Sequence, residues 1–486
     1  MYIGIDLGTS GVKTILLNEQ GELIATTTAS LEVSIPKPLW SEQNPEDWWQ
    51  ATCDCLDQLS EMQVLSEVKA IGLAGQMHGA TLLDKNSEVI RPAILWNDGR
   101  CEEQCLTLEK DIPNARDITG NIVMPGFTAP KLQWVREHEP ENFAKVYKVL
   151  LPKDYLRYRL SGDFASDMSD SAGTCWLNTG TRQWNDDMLH ACGLSVANMP
   201  MLYEGNAITG YLTEDLCERW GMKDVALVAG AGDNAAGAIG CGIVNSGQAM
   251  LSLGTSGVYF AVTNEYKSNP ESAVHAFCHA LPNRWHLMSV MLSAASCLTW
   301  FANNSGYKDV AELFADIEKN TQPDDPQIPY FMPYLTGERT PHNNPNAKAG
   351  FIGITAATTR AHMALGVVQG VSMALADGID AVHNSGLDVE GISLIGGGAR
   401  SAYWRQLLAD VTNIPMNFRE GGDVGPALGA ARLALVAMSP ETSLEELCPV
   451  PALVQNCQPN ADLQAHFAKR RENFRKLYEA NVAFFK

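Results

Sequence analysis

The chain has 486 residues, 45% of them apolar and 19% charged, with a formal net charge of −21. That length exceeds what one hydrophobic core supports and predicts two domains. The acidic balance argues against nucleic acid or an anionic membrane as partner, so a polyanionic ligand must be met by local dipoles and a metal.

In chain order, the apolar run Tyr2-Ile3-Gly4-Ile5 leads into Asp6-Leu7-Gly8-Thr9-Ser10-Gly11, and a second apolar run follows from Val12 to Leu17. This predicts a hairpin with an open tip. Two glycines let backbone N–H groups approach a phosphate, and the hydroxyls of Thr9 and Ser10 add donors. A plain hairpin turn is the alternative. The same turn recurs about half a chain length later, as Ser252-Leu253-Gly254-Thr255-Ser256-Gly257. At that offset Val12, Asn18 and Glu19 fall on Val258, Asn264 and Glu265, which predicts a duplicated unit. Asp6 becomes Ser252 and Lys13 becomes Tyr259, so the charges belong to the first copy. Two such tips suggest two halves closing on one polyphosphate.

An amphipathic helix is expected from Pro45 to Met62, with Trp48, Trp49, Cys53 and Leu56 at helical spacing. Before it, Trp40 sits in a polar loop, where it reads either as a sugar-binding wall or as a surface ring packed on its neighbour. A strand from Val68 to Leu73 runs into Gln76-Met77-His78-Gly79, a polar turn suited to a ligand. Taken alone, His78 reads as a satisfied turn histidine. In Trp96-Asn97-Asp98-Gly99-Arg100, Asp98 and Arg100 form either an ion pair or a substrate contact. Asp167-Met168-Ser169-Asp170-Ser171-Ala172 is acid-rich but lacks the spacing of a calcium loop.

The run Val225 to Gly232 reads as a buried strand and glycine turn, with a small-residue helix starting at Asp233 and Asn234. As an isolated residue Asp233 is an N-cap; the small residues around it also leave its carboxylate open. Pro333 to His342 reads as a surface loop, and Arg360 to Asp377 as a long apolar helix. Ile392 to Ile395, Gly396-Gly397-Gly398-Ala399-Arg400-Ser401 and a helix to Thr412 give strand, glycine turn and helix, where an adenosine can lie on bare backbone. A dinucleotide fold is the rival there and would want glycine at Ser401. A second small-residue helix is expected from Val424 onward. The tail from Leu463 to Lys486 is amphipathic, with Lys469-Arg470-Arg471 as a solvated face.

Twelve scattered cysteines without a Cys-x-x-Cys pair read as reduced thiols of a cytoplasmic protein. The first strand begins at the N-terminus, so no signal peptide is expected. The apolar stretch from Leu287 to Ala302 is too short to cross a bilayer. The chain has no Gly-Lys dipeptide, so the phosphate grip is not of the Walker type.

Asp6 to Gly11, Ser252 to Gly257 and Gly396 to Ser401 resemble the two phosphate loops and the adenosine loop of the actin-like ATPase superfamily. Gly126-Phe127-Thr128-Ala129-Pro130-Lys131-Leu132-Gln133-Trp134 resembles the first signature of the FGGY carbohydrate kinases, and Ala349 to Gln369 the second, with Gly366 smaller than usual. Gln76 to Gly79, Trp96 to Arg100 and Gly337 to His342 are most similar to the family's D-xylulose-phosphorylating members. The Arg-Glu pair that glycerol kinases carry in place of Met77-His78 is missing.

The resemblance implies an α/β protein of two duplicated actin-like (ribonuclease H-like) domains with a catalytic cleft between them. The expected division is 1–245, 246–440 and a helical tail, 441–486, packed on the second domain. It implies ATP and Mg²⁺ as cofactors and a homodimer. Asp233 is the implied general base and Asp6 the Mg²⁺ anchor. Gly8, Thr9, Ser10, Lys13, Gly254, Thr255 and Ser256 would face phosphates, and Gly397 and Gly398 adenosine. Met77, His78, Asp233, Asn234 and Trp40 would contact the sugar. Other members of the family (ribulokinase, fuculokinase, gluconokinase, glycerol kinase) and an actin- or chaperone-like ATPase are the alternatives.

Overall fold

The computed structural model describes residues 1–420 and 425–485. It is built on two sheets of seven strands each. The first contains β1 (Tyr2–Gly8), β2 (Gly11–Leu17), β3 (Leu23–Ser30), β4 (Ala70–Gly75), β5 (Ile208–Tyr211) and β6 (Ala226–Val228), in the order β5-β6-β4-β1-β2-β3. A two-residue strand, Ala231–Gly232, pairs with the end of β4. The second contains β7 (Ala249–Leu253), β8 (Gly257–Thr263), β9 (His275–Cys278), β10 (Trp285–Met291), β11 (Ile392–Ile395), β12 (Met416–Arg419) and β13 (Leu453–Cys457), in the order β9-β10-β8-β7-β11-β12-β13.

The duplication is plain in the pairing. β1 and β2 form a hairpin closed at Gly8 and Gly11, with β3 antiparallel beyond it and β4 parallel to β1. β7 and β8 form a hairpin closed at Leu253 and Gly257, with β10 antiparallel beyond it and β11 parallel to β7. Each sheet continues through one further parallel strand, β6 or β12, to an antiparallel edge strand, β5 or β13. Ligands of open α/β sheets gather at the C-terminal ends of parallel strands. Asp6, Gly75 and Gly232 stand at those ends in the first sheet, and Leu253 and Ile395 in the second.

The expected amphipathic helix spans Pro45–Met62, capped by the Asn44 side chain on the Glu46 N–H. The apolar stretch 287–302 divides into strand β10 and the helix Ala295–Ser305. Helix Arg360–His383 is long and apolar enough to cross a membrane, but 94% of that window is buried in the protein, so it serves as a core helix. Its Gly366 is small for a reason: a β-carbon there would stand 2.9 Å from the Pro329 carbonyl oxygen.

One helix ties the halves together. Pro426–Met438 lies beyond the second phosphate tip in sequence, yet it packs on β1 and β4 of the first sheet. Glycines make this possible: a β-carbon on Gly4 would lie 2.0 Å from Ala427 O, and one on Gly72 1.9 Å from Ala430 O. The helix also crosses Asp233–Gly240 so closely that a β-carbon on Gly429 would meet Ala236 O at 1.7 Å. Val424, expected at the start of this helix, and Lys486, at the end of the tail, fall outside the described residues.

Two surface expectations are corrected. The tail helix Gln464–Asn481 does not leave Arg470 and Arg471 in solvent. Arg470 donates to the carbonyls of Ile328 and Pro329, and Arg471 is paired with Asp377 and Asp380. The apolar stem of arginine explains how a basic run can be drawn inward. The stretch 333–342 is not a surface loop either: Glu338 and Thr340 are buried, held by Leu292, Val290 and Ala273.

Candidate active site

The first hairpin tip is held from behind. Gln43 donates from Nε2 to Thr9 O at 2.8 Å, and its Oε1 accepts from Trp48 Nε1 and Gln76 Nε2. Thr9 Oγ1 donates to Gln76 Oε1 at 3.0 Å and accepts from Trp96 Nε1 at 3.0 Å. The Thr9 hydroxyl is therefore committed to the scaffold, contrary to its expected role as a phosphate donor. The exposed Ser10 keeps that possibility. Gln76 is buried and braces the tip. Gln43 was not legible as a functional residue, because its role depends on β-pairing remote in sequence.

Asp6, at the end of β1, has a buried Oδ1 without a hydrogen-bond partner among the described residues. Burial pushes its carboxyl up to about 7, the nearby Asp233 charge adds to this, and Lys13 opposes it. Asp233 is the first residue of helix Asp233–Gly240, after Gly232 as N-cap. Its Oδ1 accepts from the backbone N–H of Asn234 at 2.7 Å and from Asn234 Nδ2 at 2.9 Å. Burial pushes it up to about 6, and the two Asn234 donors pull the other way. The carboxylates of Asp6 and Asp233 are thus close enough for the charge of Asp233 to raise Asp6. Lys13 points toward the start of the crossing helix, its Nζ 3.9 Å from where a Gly425 β-carbon would be.

The Asp233 turn rests on a buried ion cluster. Lys153 Nζ lies 2.8 Å from Asp167 and 3.5 Å from Asp170, and also pairs with Asp154. Ser169 Oγ accepts from the Gly232 N–H at 3.2 Å and donates to Asp167. The acid-rich loop therefore finds its counter-charge in a lysine. Sequence spacing could not show this, because Lys153 comes from another helix, Pro152–Ser161.

His78 has a left-handed backbone (φ 70°), unusual for a side chain with a β-carbon. Thr128 Oγ1 and Lys131 Nζ, both at 3.1 Å, hold its carbonyl. The helix of the first signature, Thr128–His138, thus fixes this turn. His78 Nδ1 lies 2.7 Å from Gly173 O. A carbonyl can only accept, so Nδ1 carries the proton and Nε2 is left as an acceptor. Burial, with Lys131 and Arg339 nearby, lowers the imidazole to about 3 and keeps it neutral. Met77 packs on Gly232, where a β-carbon would come within 2.9 Å of its Cγ.

Trp40 is half-buried and packed, with the Arg100 guanidinium 3.6 Å from its ring centre and Trp134 edge-on at 5.3 Å. Asp98 and Arg100 form a buried ion pair at 2.6 Å, and Arg100 also meets Glu42 at 2.8 Å. Asp98 and Arg100 thus form the ion pair of the two expected readings, and Trp40 is packed on its neighbours.

The second tip and the glycine turn 396–401 come together. Gly254, Thr255, Gly397 and Gly398 border one cavity of about 670 Å³, with Leu298 and Phe314 on its apolar side. Gly8, Thr9 and Ser10 are not among its lining residues. Gly397 faces open space, whereas a β-carbon on Gly398 would meet Trp404 at 2.6 Å. Gly398 is thus needed for packing, and Gly397 is the bare surface. Leu298 and Phe314 gave no sequence signal beyond ordinary core periodicity.

Residues 1–240 match the family model for the N-terminal domain of the FGGY family of carbohydrate kinases, and residues 249–438 match its C-terminal domain. The chain is 60% identical over 479 residues to the xylulose kinase of Escherichia coli (strain K12), covering 99% of each. It is similar in structure to a xyloylose kinase from Brucella ovis, with TM-score 0.95, 43% identity and 99% of each chain covered. A glycerol kinase from Plasmodium falciparum, 19% identical with TM-score 0.90 over 99% of this chain and 98% of its own, shares the fold. With both domain models matched in order around two duplicated sheets, the chain belongs to the FGGY family of carbohydrate kinases.

Proposed function

We propose that the chain transfers the γ-phosphoryl group of ATP to the 5-hydroxyl of D-xylulose, giving ADP and D-xylulose 5-phosphate. The observation that carries the choice of acceptor is the 60% identity to a xylulose kinase over 99% of both chains. Asp233 is the general base. Its Oδ1 is held by Asn234, which leaves Oδ2 to accept the hydroxyl proton as the new P–O bond forms. Met77 walls the sugar pocket, and the neutral His78 accepts a sugar hydroxyl at Nε2. Backbone N–H groups of Gly8 and Ser10 meet the phosphates from one side and those of Gly254, Thr255 and Ser256 from the other, with Lys13 adding charge. Adenosine lies along Gly397.

The orphaned Oδ1 of Asp6, in the field of Asp233, suits a divalent cation. Asp6 would hold Mg²⁺ through its water shell, since this ion dehydrates reluctantly. When bound, Mg²⁺ neutralises charge on the phosphates. Asp6→Asn is expected to lower activity by a factor that shrinks as Mg²⁺ is raised. A loss of equal size at every Mg²⁺ concentration removes Asp6 from this role.

The decisive experiment is a sugar panel in a coupled ADP-release assay. D-xylulose is expected to give the highest kcat/KM, above ribulose, fuculose, gluconate and glycerol. A higher value for any of these reassigns the acceptor. Sugar-independent turnover with filament formation would favour an actin-like ATPase.

A further inference from the structure

The turn around Arg339 is clamped on both sides. Glu338 Oε1 accepts from the Leu292 N–H at 3.0 Å and from the Arg339 N–H at 2.8 Å. Thr340 exchanges backbone and side-chain bonds with Val290, and its hydroxyl donates to Ala273 O. Such an anchored turn, built by the second domain, aims one side chain at a fixed place.

Among the described residues the Arg339 side chain makes one hydrogen bond, from Nη1 to His275 Nε2 at 3.2 Å. His275 is fixed in turn, its Nδ1 donating to Asn121 Oδ1 at 3.1 Å. The Asn121 orientation is unambiguous, because its Nδ2 donates to Thr119 O and Ala276 O. Among the described residues no carboxylate lies within ion-pair distance of Arg339; Glu338 is turned to its own backbone contacts. A half-buried guanidinium with one neutral partner keeps several N–H donors unused.

Arg339 is joined to His78 through buried rings. His275 lies 5.6 Å from Phe127, and Phe127 lies 4.9 Å from His78, ring centre to ring centre. The Arg339 charge also reaches His78, where it helps to hold the ring neutral. The acceptor at His78 Nε2 and the donors at Arg339 thus lie at the two ends of one stack of rings, each with hydrogen-bonding capacity left over. A carbonyl beside a hydroxyl offers the matching pair, one oxygen that only accepts and one that donates.

Resting on the reading of the chain as a kinase of D-xylulose, we propose that Arg339 is a substrate-binding residue supplied by the second domain, donating to the C2 carbonyl and adjacent oxygen of the ketose while His78 accepts from its hydroxyl. It lies toward the end of the sugar away from Asp233. Closure of the cleft would complete the pocket, and the enzyme would discriminate a ketose from the corresponding alditol.

The test compares wild type, Arg339→Met and Arg339→Lys, using D-xylulose and xylitol at saturating MgATP and an ATP titration at saturating sugar. Charged hydrogen bonds of this kind predict a rise of about 10- to 100-fold in the D-xylulose KM for Arg339→Met. The ATP KM should stay within about twofold, and the ratio of kcat/KM for D-xylulose over xylitol should fall about tenfold or more. Arg339→Lys should recover part of the sugar KM. If Arg339→Met does not fold, Arg339→Lys alone decides, with an expected rise of about fivefold or more in sugar KM. A sugar KM within about twofold of wild type, or an ATP KM that rises by the same factor, overturns the proposal. A wild type inert toward D-xylulose overturns the acceptor assigned above. The same criteria then apply to the ketose it does phosphorylate, and a wild type that accepts no ketose overturns the Arg339 proposal as well.

Discussion

Asp233→Ala is expected to lower kcat for sugar phosphorylation by about 10²- to 10⁴-fold, the range associated with loss of a general base. ATP binding should remain within about twofold, because the cavity proposed to take adenosine, bordered by Gly254, Thr255, Gly397 and Gly398, does not include Asp233. More than a few per cent of wild-type kcat in the variant removes Asp233 from the role of base. The pH profile provides a second reading. Burial pushes Asp233 up to about 6, so kcat/KM for the sugar should fall below that pH as the carboxylate takes up a proton.

The sign for stability is opposite to that of a salt-bridged acid. A folded-state value above the ordinary carboxylate range means that the native state binds more protons between about pH 4 and pH 6. The contribution of Asp233 to stability is therefore present at low pH and lost as pH rises through about 6. At pH 7.5 Asp233→Asn should unfold at the same temperature as wild type or higher. An inactive Asn variant with a sharply lowered midpoint would mean that the loss of activity reflects damage to the fold.

Gly429→Val is expected to yield little or no soluble folded protein. The added β-carbon would stand 1.7 Å from Ala236 O and 2.5 Å from Ala236 C, and both atoms belong to backbone that cannot rotate aside. Ordinary overpacking costs about 1–3 kcal/mol, and a backbone collision at a helix crossing places this change in the exceptional class above about 4 kcal/mol. Gly237→Ala serves as the control on the facing helix. Among the described residues outside its own stretch of helix, no atom lies within 4 Å of its added β-carbon, and alanine is the better helix former. Soluble yield and thermal melts of the two variants should diverge. A Gly429→Val protein that melts with the wild type would show that the helices do not meet this closely.

Features carried by local pattern were legible in the sequence. The twin hairpin tips, the strand into Asp233 and the helix of 45–62 follow from alternation, glycine placement and helical spacing; the helix bounds agree with the structure, whereas the strands run on through Asp6 to Gly8 and through Ser252 to Leu253, so the open tips are shorter than expected. The duplication was visible because the tips kept their residues. Contacts between segments remote in sequence were not legible. Nothing near Thr9 announces that Gln43, Gln76 and Trp96 occupy it. Nothing near Arg470 announces that the carbonyls of Ile328 and Pro329 receive its guanidinium. The stretch 333–342 read as a surface loop because proline, asparagine and charge suggest solvent, whereas its Glu338 is satisfied by the backbone N–H groups of Leu292 and Arg339. In each case a polar side chain is taken up by a partner remote in sequence, which composition does not distinguish from exposure to water.

The helix Pro426–Met438 bears on how this chain can be divided. A gene split after residue 245 would leave the first fragment with Gly4 and Gly72 bare, because the alanines that cover them are encoded in the second. Neither piece should be productive when made by itself, while co-production should restore activity through reassembly. A ligand-free melt of the intact chain should likewise show one transition, since neither half can lose its order without uncovering the other.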